Sequence, residues 1–246
     1  MSSTDEFDPM THTGRGAPAS AGLLDQLRAM ASVVRLAHHQ RLPVDPAQPG
    51  SLYVVSSGIL VLQADVTDTR RVLPGLLYPG DVFEPAHAPP LKDAALMAAT
   101  PAEVLRLNMK SYASLAEDNT GLYRALHQRL VAQHARLTLH VNTIGMLSGE
   151  ERVAALLIEF TLRLGKPVAG GIAFETPLTR SDIADYLALN RDTLSRLMSR
   201  LKASRILLQM DRSHLVVRDW DGLVAECPIA EPLQALHRGV NPLRKL

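Results

Sequence analysis

The 246 residues predict an α+β fold, on three observations. Short β-branched apolar runs fill residues 42–107, broken by Pro-Gly and Ser-Gly pairs. A helical stretch of some thirty residues without proline follows. Beyond it, LTRSDIADYLALNRDTLSRLMSRL at 178–201 describes two short helices around a tight turn. Regular short strands separated by turn signals indicate an antiparallel sandwich or barrel, here followed by helices rather than interleaved with them.

In chain order, residues 1–20 read as a disordered tail, rich in Ser, Thr, Gly and Pro. Ser20 is placed to cap a first helix whose apolar positions, Leu23, Leu24, Leu27 and Met30, recur at helical spacing. The strand runs include Leu52-Tyr-Val-Val, Ile59-Leu-Val-Leu and Val104-Leu-Arg-Leu, with turns at Pro49-Gly50, Ser57-Gly58, Pro74-Gly75 and Pro79-Gly80. From about Lys110 to Asn142 the period becomes helical, through Leu115, Leu122, Leu126, Leu130, Leu137 and Val141. That apolar stripe is long for one small β domain to cover, so the same helix of a second chain is the expected partner. Packing within one chain is the alternative.

Ser148-Gly-Glu-Glu151 is a capping box opening a helix to about Leu164, with Val153, Leu156, Leu157 and Phe160 as its inner stripe and Gly165 as its stop. Thr179 is the next N-cap, with Asp182 in the box position. Ile183, Ala184 and Leu187 face inward, and Ala188-Leu189-Asn190 makes the turn. Leu194, Leu197, Met198 and Leu201 form the buried face of the second helix, leaving Arg191, Asp192, Ser195, Arg196 and Ser199 outward. Ile206–Met210 and His214–Arg218 flank Asp211-Arg212-Ser213 as a hairpin, the shape of a wing. After it, Leu223, Val224, Pro228, Ile229, Leu233 and Leu236 supply either a small helix folding back on the core or a partner surface.

Composition narrows the function classes. With 46% apolar and 21% charged residues the chain is an ordinary globular protein. No run of eighteen apolar residues exists to span a membrane, and the polar N-terminus lacks a leader's apolar core; a cytoplasmic location is expected. A single cysteine, Cys227, excludes an intrachain disulfide or cysteine-based cluster. A redox role for it is the less usual reading of a lone cysteine. Residues 1–148 carry 12 Lys+Arg against 13 Asp+Glu, whereas 178–218 carry 8 against 4. The basic excess thus falls on the helical pair and wing, the electrostatic footprint of a nucleic-acid face. No Gly-rich phosphate loop, HExxH or nucleophile elbow is present, so an enzyme is not expected.

Arg191, Asp192, Ser195 and Arg196 sit at i, i+1, i+4 and i+5 on one helix surface, a set of groups suited to base edges in a major groove. Nine histidines invite a haem or metal reading through His38-His39, His87, His127, His134 and His140. Read as helical neighbours, however, His38 and His39 would point about 100° apart, and His127 and His134 stand too far apart to share an ion within one helix. Neither metal nor cofactor is expected.

From about Leu23 to Asp219 the chain resembles the Crp/Fnr superfamily of bacterial transcription regulators. LYVVSSGILVLQADVTDTRRVLPGLLYPGDVF at 52–83 resembles that family's β-roll with its turn glycines Gly58 and Gly80. The long helix and SGEERVAALL at 148–157 are placed like its dimer helix and hinge, and 178–202 is similar to its helix-turn-helix. The resemblance implies a tail (1–20), a β-roll sensor-like domain (21–109), a dimerisation helix and hinge (110–147), a winged helix-turn-helix (148–219) and an extension (220–246). It implies a homodimer through residues 110–142, double-stranded DNA and RNA polymerase as partners, and a palindromic operator. Asp192, Ser195 and Arg196 match the recognition pattern of the Fnr/FixK branch, one methylene shorter at the acid, and Arg191 stands where the cyclic-AMP branch carries an arginine. Arg196 then donates bidentately to a guanine and Asp192 accepts from a cytosine amino group, suiting half-sites like TGA. Arg191 adds a second guanine contact or a phosphate contact, while Thr179 and Arg180 position the DNA backbone.

The departures matter equally. Cyclic-nucleotide binders in this family follow Pro-Gly-Asp with a segment ending in an arginine that holds the cyclic phosphate. Here Phe83-Glu84-Pro85 follows, and no arginine occurs from 72 to 105. The polar pair that touches the purine is matched by Leu137-Thr138. Control by cyclic nucleotide is therefore not expected. The alternatives are a haem or small-molecule ligand in the roll, or no ligand and control by abundance. The N-terminal cysteine cluster of the oxygen-sensing branch is absent, and Arg205 stands where Gly or Asn usually precedes the wing.

Overall fold

Eight antiparallel strands between residues 32 and 108 form two four-stranded sheets facing each other. One has the order β1 (Ser32–Leu36), β8 (Ala102–Asn108), β3 (Ser51–Ser57), β6 (Val82–Phe83); the other β2 (Arg41–Pro43), β7 (Lys92–Ala98), β4 (Leu60–Thr67), β5 (Arg70–Leu77). The computed structural model describes residues 18–45, 47 and 50–237; all but three residues of the expected tail, Pro49, and the last nine residues of the extension lie outside them. Two glycines make the roll's tight corners. Gly58, at φ +77°, approaches the Pro101 carbonyl so closely that a Cβ would lie 2.3 Å from its oxygen, and Gly80 takes φ +88°.

Alternation along the strands gives the second sheet two buried faces. Leu60, Leu62, Leu77, Leu96 and Ala98 fill the roll's interior. Their neighbours Val61, Leu73, Leu76 and Met97 face out and join an apolar cluster with the C-terminal half. The first sheet is covered on its outer side by α1 (Pro18–Arg28) and a long helix, where Leu27, Leu52, Val54, Leu105, Leu122 and Leu126 are buried together.

The helical stretch after the roll is two helices, α2 (Met109–Asp118) and α3 (Thr120–Met146), rather than one. Asn119 breaks it, because its side chain accepts from the Leu122 amide and caps α3 afresh. The expected leucine seam is largely spent within the chain: Leu122 and Leu126 are buried on the roll and Leu130 packs beside them. Leu137 reaches Gly75 on β5, where a Cβ would stand 2.5 Å from its Cδ2. Ser20 also departs from expectation, since α1 begins at Pro18 and Ser20 lies in its first turn.

Leu147 links α3 to α4 (Gly149–Leu164), which opens with the full capping box between Ser148 and Glu151. Arg152 pins this hinge, donating to the Leu147 carbonyl at 2.8 Å and the Leu187 carbonyl at 3.2 Å. An additional hairpin, β9 (Lys166–Val168) and β10 (Gly171–Glu175), precedes the two short helices α5 (Arg180–Tyr186) and α6 (Arg191–Ala203). It pairs with the wing strands β11 (Leu207–Gln209) and β12 (His214–Val217) in one sheet, ordered β11-β12-β10-β9. The extension forms α7 (Trp220–Ala225) and α8 (Ala230–His237), which fold back on α4 through Leu223, Cys227, Ala230 and Leu233.

Candidate nucleic-acid interface

Two capped helix starts set the geometry. Thr179 opens α5, its hydroxyl accepting from the Asp182 amide at 3.1 Å and donating to the Asp182 carboxylate at 2.6 Å. Its amide donates to the same carboxylate, so Thr179 is committed to shaping the helix mouth. Asn190 opens α6, accepting from the Thr193 amide at 2.7 Å. Between them Ala188 takes φ +51°, a left-handed turn residue that ends α5 and redirects the chain.

Leu194, Met198 and Leu201 are buried under α6, whose opposite face carries Arg191, Asp192, Ser195, Arg196 and Ser199, all exposed. Arg200 fixes the far end of α6 by ion pairs to Glu150 on α4 and Glu226 beyond α7. Arg196 makes only a 3.5 Å contact to Thr193, whereas Arg191 donates to the Ser181 hydroxyl at 2.7 Å. Arg180 donates to Gln209 of β11 at 3.1 Å, and partial burial lowers its pKa from the ordinary arginine value. Sequence reasoning left the wing tip unassigned. Asp211 organises it by accepting from the amides of Ser213 and His214, which hold its carboxyl down at about pKa 2. That leaves Arg212 exposed at the turn.

Buried polar contacts join the roll to α3 and to the C-terminal half. Asp81, after the Gly80 turn, accepts from the Tyr78 amide at 2.8 Å and pairs with Arg136 of α3 at 2.5 Å. Gln133 accepts from the Val82 amide at 3.1 Å. Further along, Tyr78 donates to Glu159 at 2.8 Å, the Arg163 guanidinium lies 4.4 Å from the Tyr78 ring centre, and Arg163 donates to His237 of α8 at 2.8 Å. Burial raises the Glu159 carboxyl.

Among the described residues no group of three or more His, Cys, Asp or Glu is placed to hold an ion. His38 and His39 sit in the turn between β1 and β2 rather than on a helix, with rings stacked at 3.7 Å, and His39 takes φ +63°. His140 stacks on Tyr186 at 4.0 Å. Cys227 is buried, and desolvation raises its thiol pKa, the opposite of a reactive thiolate. No helix among the described residues is long and apolar enough to cross a membrane.

A Crp-like helix-turn-helix domain matches residues 151–226, which spans α4 through α7. The chain is 30% identical over 179 residues to the nitrogen fixation regulation protein FixK of Rhizobium meliloti, covering 71% of this chain and 77% of that relative. It is 27% identical over 178 residues to the transcriptional activator protein FnrL of Cereibacter sphaeroides, covering 70% and 71%. Among solved structures, FixK2 from Bradyrhizobium japonicum superposes with a TM-score of 0.68 at 26% identity, over 80% of this chain and 97% of that one.

Proposed function

We propose, for a chain that belongs to the Crp/Fnr family of DNA-binding transcription regulators, that two copies of it read a palindromic duplex through paired α6 helices. The chain is a transcription regulator and not an enzyme. The observation that carries the finer reading is the exposed face of Arg191, Asp192, Ser195, Arg196 and Ser199, with Arg180 beside it and Arg212 on the wing. Arg196 reads a guanine through O6 and N7, and Asp192 reads the paired cytosine's amino group, as a TGA-like half-site requires. Arg180 and Arg212 hold phosphates, with Thr179 fixing the mouth of α5.

The second copy docks along α3. Val131 and Val141 are exposed to 56% and 67%, with His127, His134 and Thr138 exposed in the same stripe, and Met146 at the helix end is exposed to 82%. In that dimer the two reading helices meet half-sites about 34 Å apart, one turn of DNA. The division of labour follows the sequence: roll (21–109), dimer helix and hinge (110–147), reading head (148–219) and supporting extension (220–246). Cyclic nucleotide is not the control, because Arg136 already occupies Asp81 and no arginine from 72 to 105 is available for a cyclic phosphate. The same reading calls for a cytoplasmic protein, with RNA polymerase as the partner of an activator.

Selection of bound sequences from random duplexes supplies the operator, and mobility shifts on it test the assignment. Arg196→Ala is expected to abolish selective binding while gel filtration still reports a dimer. Undiminished operator affinity in that variant would refute the reading.

A further inference from the structure

One contact couples the roll to the reading head through charge. Arg71 stands at the start of β5, in the hairpin that β4 and β5 make, and reaches across to α5 more than a hundred residues away. Its Nε donates to Asp185 Oδ2 at 2.7 Å and its Nη2 to Asp182 Oδ1 at 2.6 Å. The same Nη2 lies 3.5 Å from the Ser181 hydroxyl, which is the acceptor for Arg191 of α6. Asp182 is 7% exposed at its side chain, and its other oxygen is occupied by the Thr179 cap. Burial alone would lower the Arg71 pKa, but the two carboxylates more than reverse that and hold it above its ordinary value.

From this geometry we infer that Arg71, a residue of the sensor-like roll, is a positioning residue for DNA binding: it fixes α5 and α6 against the roll and neutralises two carboxylates beside the phosphate-facing surface. This rests on the reading of α6 as the base-reading helix. Asp182 and Asp185 lie on the helix whose mouth carries Arg180, so their charge acts within the field that a phosphate backbone at Arg180 would feel, although Asp182 itself is buried. Unpaired, two carboxylates near a phosphate backbone repel it, and Asp182 loses the partner of a buried oxygen. Paired, they fasten the reading head, and Ser181 passes that fixed position to Arg191.

The test uses the full chain and the duplex it selects. Arg71→Ala is expected to weaken binding about tenfold, with Arg71→Lys intermediate because an ammonium cannot span both carboxylates. Adding Asp185→Asn to Arg71→Ala is expected to recover part of the loss, since it removes a carboxylate left uncompensated; a merely structural role for Arg71 would make the double variant worse. Binding by Arg71→Ala as tight as or tighter than the unmodified chain, or no recovery in the double variant, overturns the inference. Arg196→Ala run alongside separates the two ideas. If it loses the operator while Arg71→Ala keeps it, only the positioning role falls; if Arg196→Ala keeps the operator, both fall.

Discussion

Arg191 and Arg196 differ in how committed they are. Arg191 is tied to Ser181, whereas Arg196 has only a long contact to Thr193 and is the freer to enter a groove. Asp192 has no such competing role as a cap, since Asn190 takes it. If Asp192 accepts from a cytosine as proposed, Asp192→Asn is expected to reduce discrimination at that base by about 1–3 kcal/mol, leaving affinity for non-specific DNA nearly unchanged, as titrations on the operator and on a single-base variant would show. The outward face of α6 was legible because helical spacing sorts Leu194, Met198 and Leu201 inward without reference to anything else. Thr179 was less so. A threonine at a helix mouth suits both a phosphate contact and a cap, and only the Asp182 geometry shows its donors spent on the cap.

At the level of elements, caps decide where helices begin, and the sequence signalled most of them. Ser148 and Thr179 form the boxes their spacing announced. The run from Lys110 to Asn142 concealed its break, because apolar periodicity continues across Asn119 and only the cap itself resets the helix. Its leucines were readable as a buried stripe but not as one buried in cis, since period alone does not tell a sheet from a second helix. The hairpin at 166–175 was hidden in a short Pro- and Gly-containing run, where Gly170 takes φ +83°. Ala188 is a further element-scale detail: its φ of +51° costs a residue with a Cβ about 1–2 kcal/mol. Ala188→Gly removes that strain against a smaller entropy loss. The variant should gain about 0.5–1 kcal/mol and raise Tm by about 1–4 °C in a melting experiment; an unchanged or lowered Tm would mean that the turn is not strained.

Across the whole molecule, a buried polar chain joins roll, long helix, reading head and extension. Burial depresses His140 to about 4, and burial beside Arg163 depresses His237 to about 3, both below the ordinary 6.5. Each therefore contributes stability that is present above pH 6.5 and is lost as pH falls toward those values, because the unfolded chain takes up the proton first. Glu159, raised by burial, acts with the opposite sign but is one group against two. Tm should fall between pH 6.5 and 5, and less steeply in His140→Phe, which keeps a ring on Tyr186; an identical slope in that variant would exclude His140 as a source. None of this chain, nor the Arg71 clamp, was legible in the sequence, because its members lie far apart and only the tertiary fold brings them together.

The outer face of the second roll sheet and the core of the reading head are one apolar cluster, from Val61 and Leu76 to Phe160 and Ile183. Opening the two units at the hinge would therefore expose the outer apolar face of the roll sheet and the apolar side of the reading head to water. Differential scanning calorimetry should record a single endotherm whose van't Hoff and calorimetric enthalpies agree once the oligomeric state found in solution is accounted for, rather than two separable melts. Excising the reading head at the hinge would then yield a fragment with a water-exposed apolar wall, whose loss of cooperativity, rather than a change in its recognition helix, would govern how it behaves.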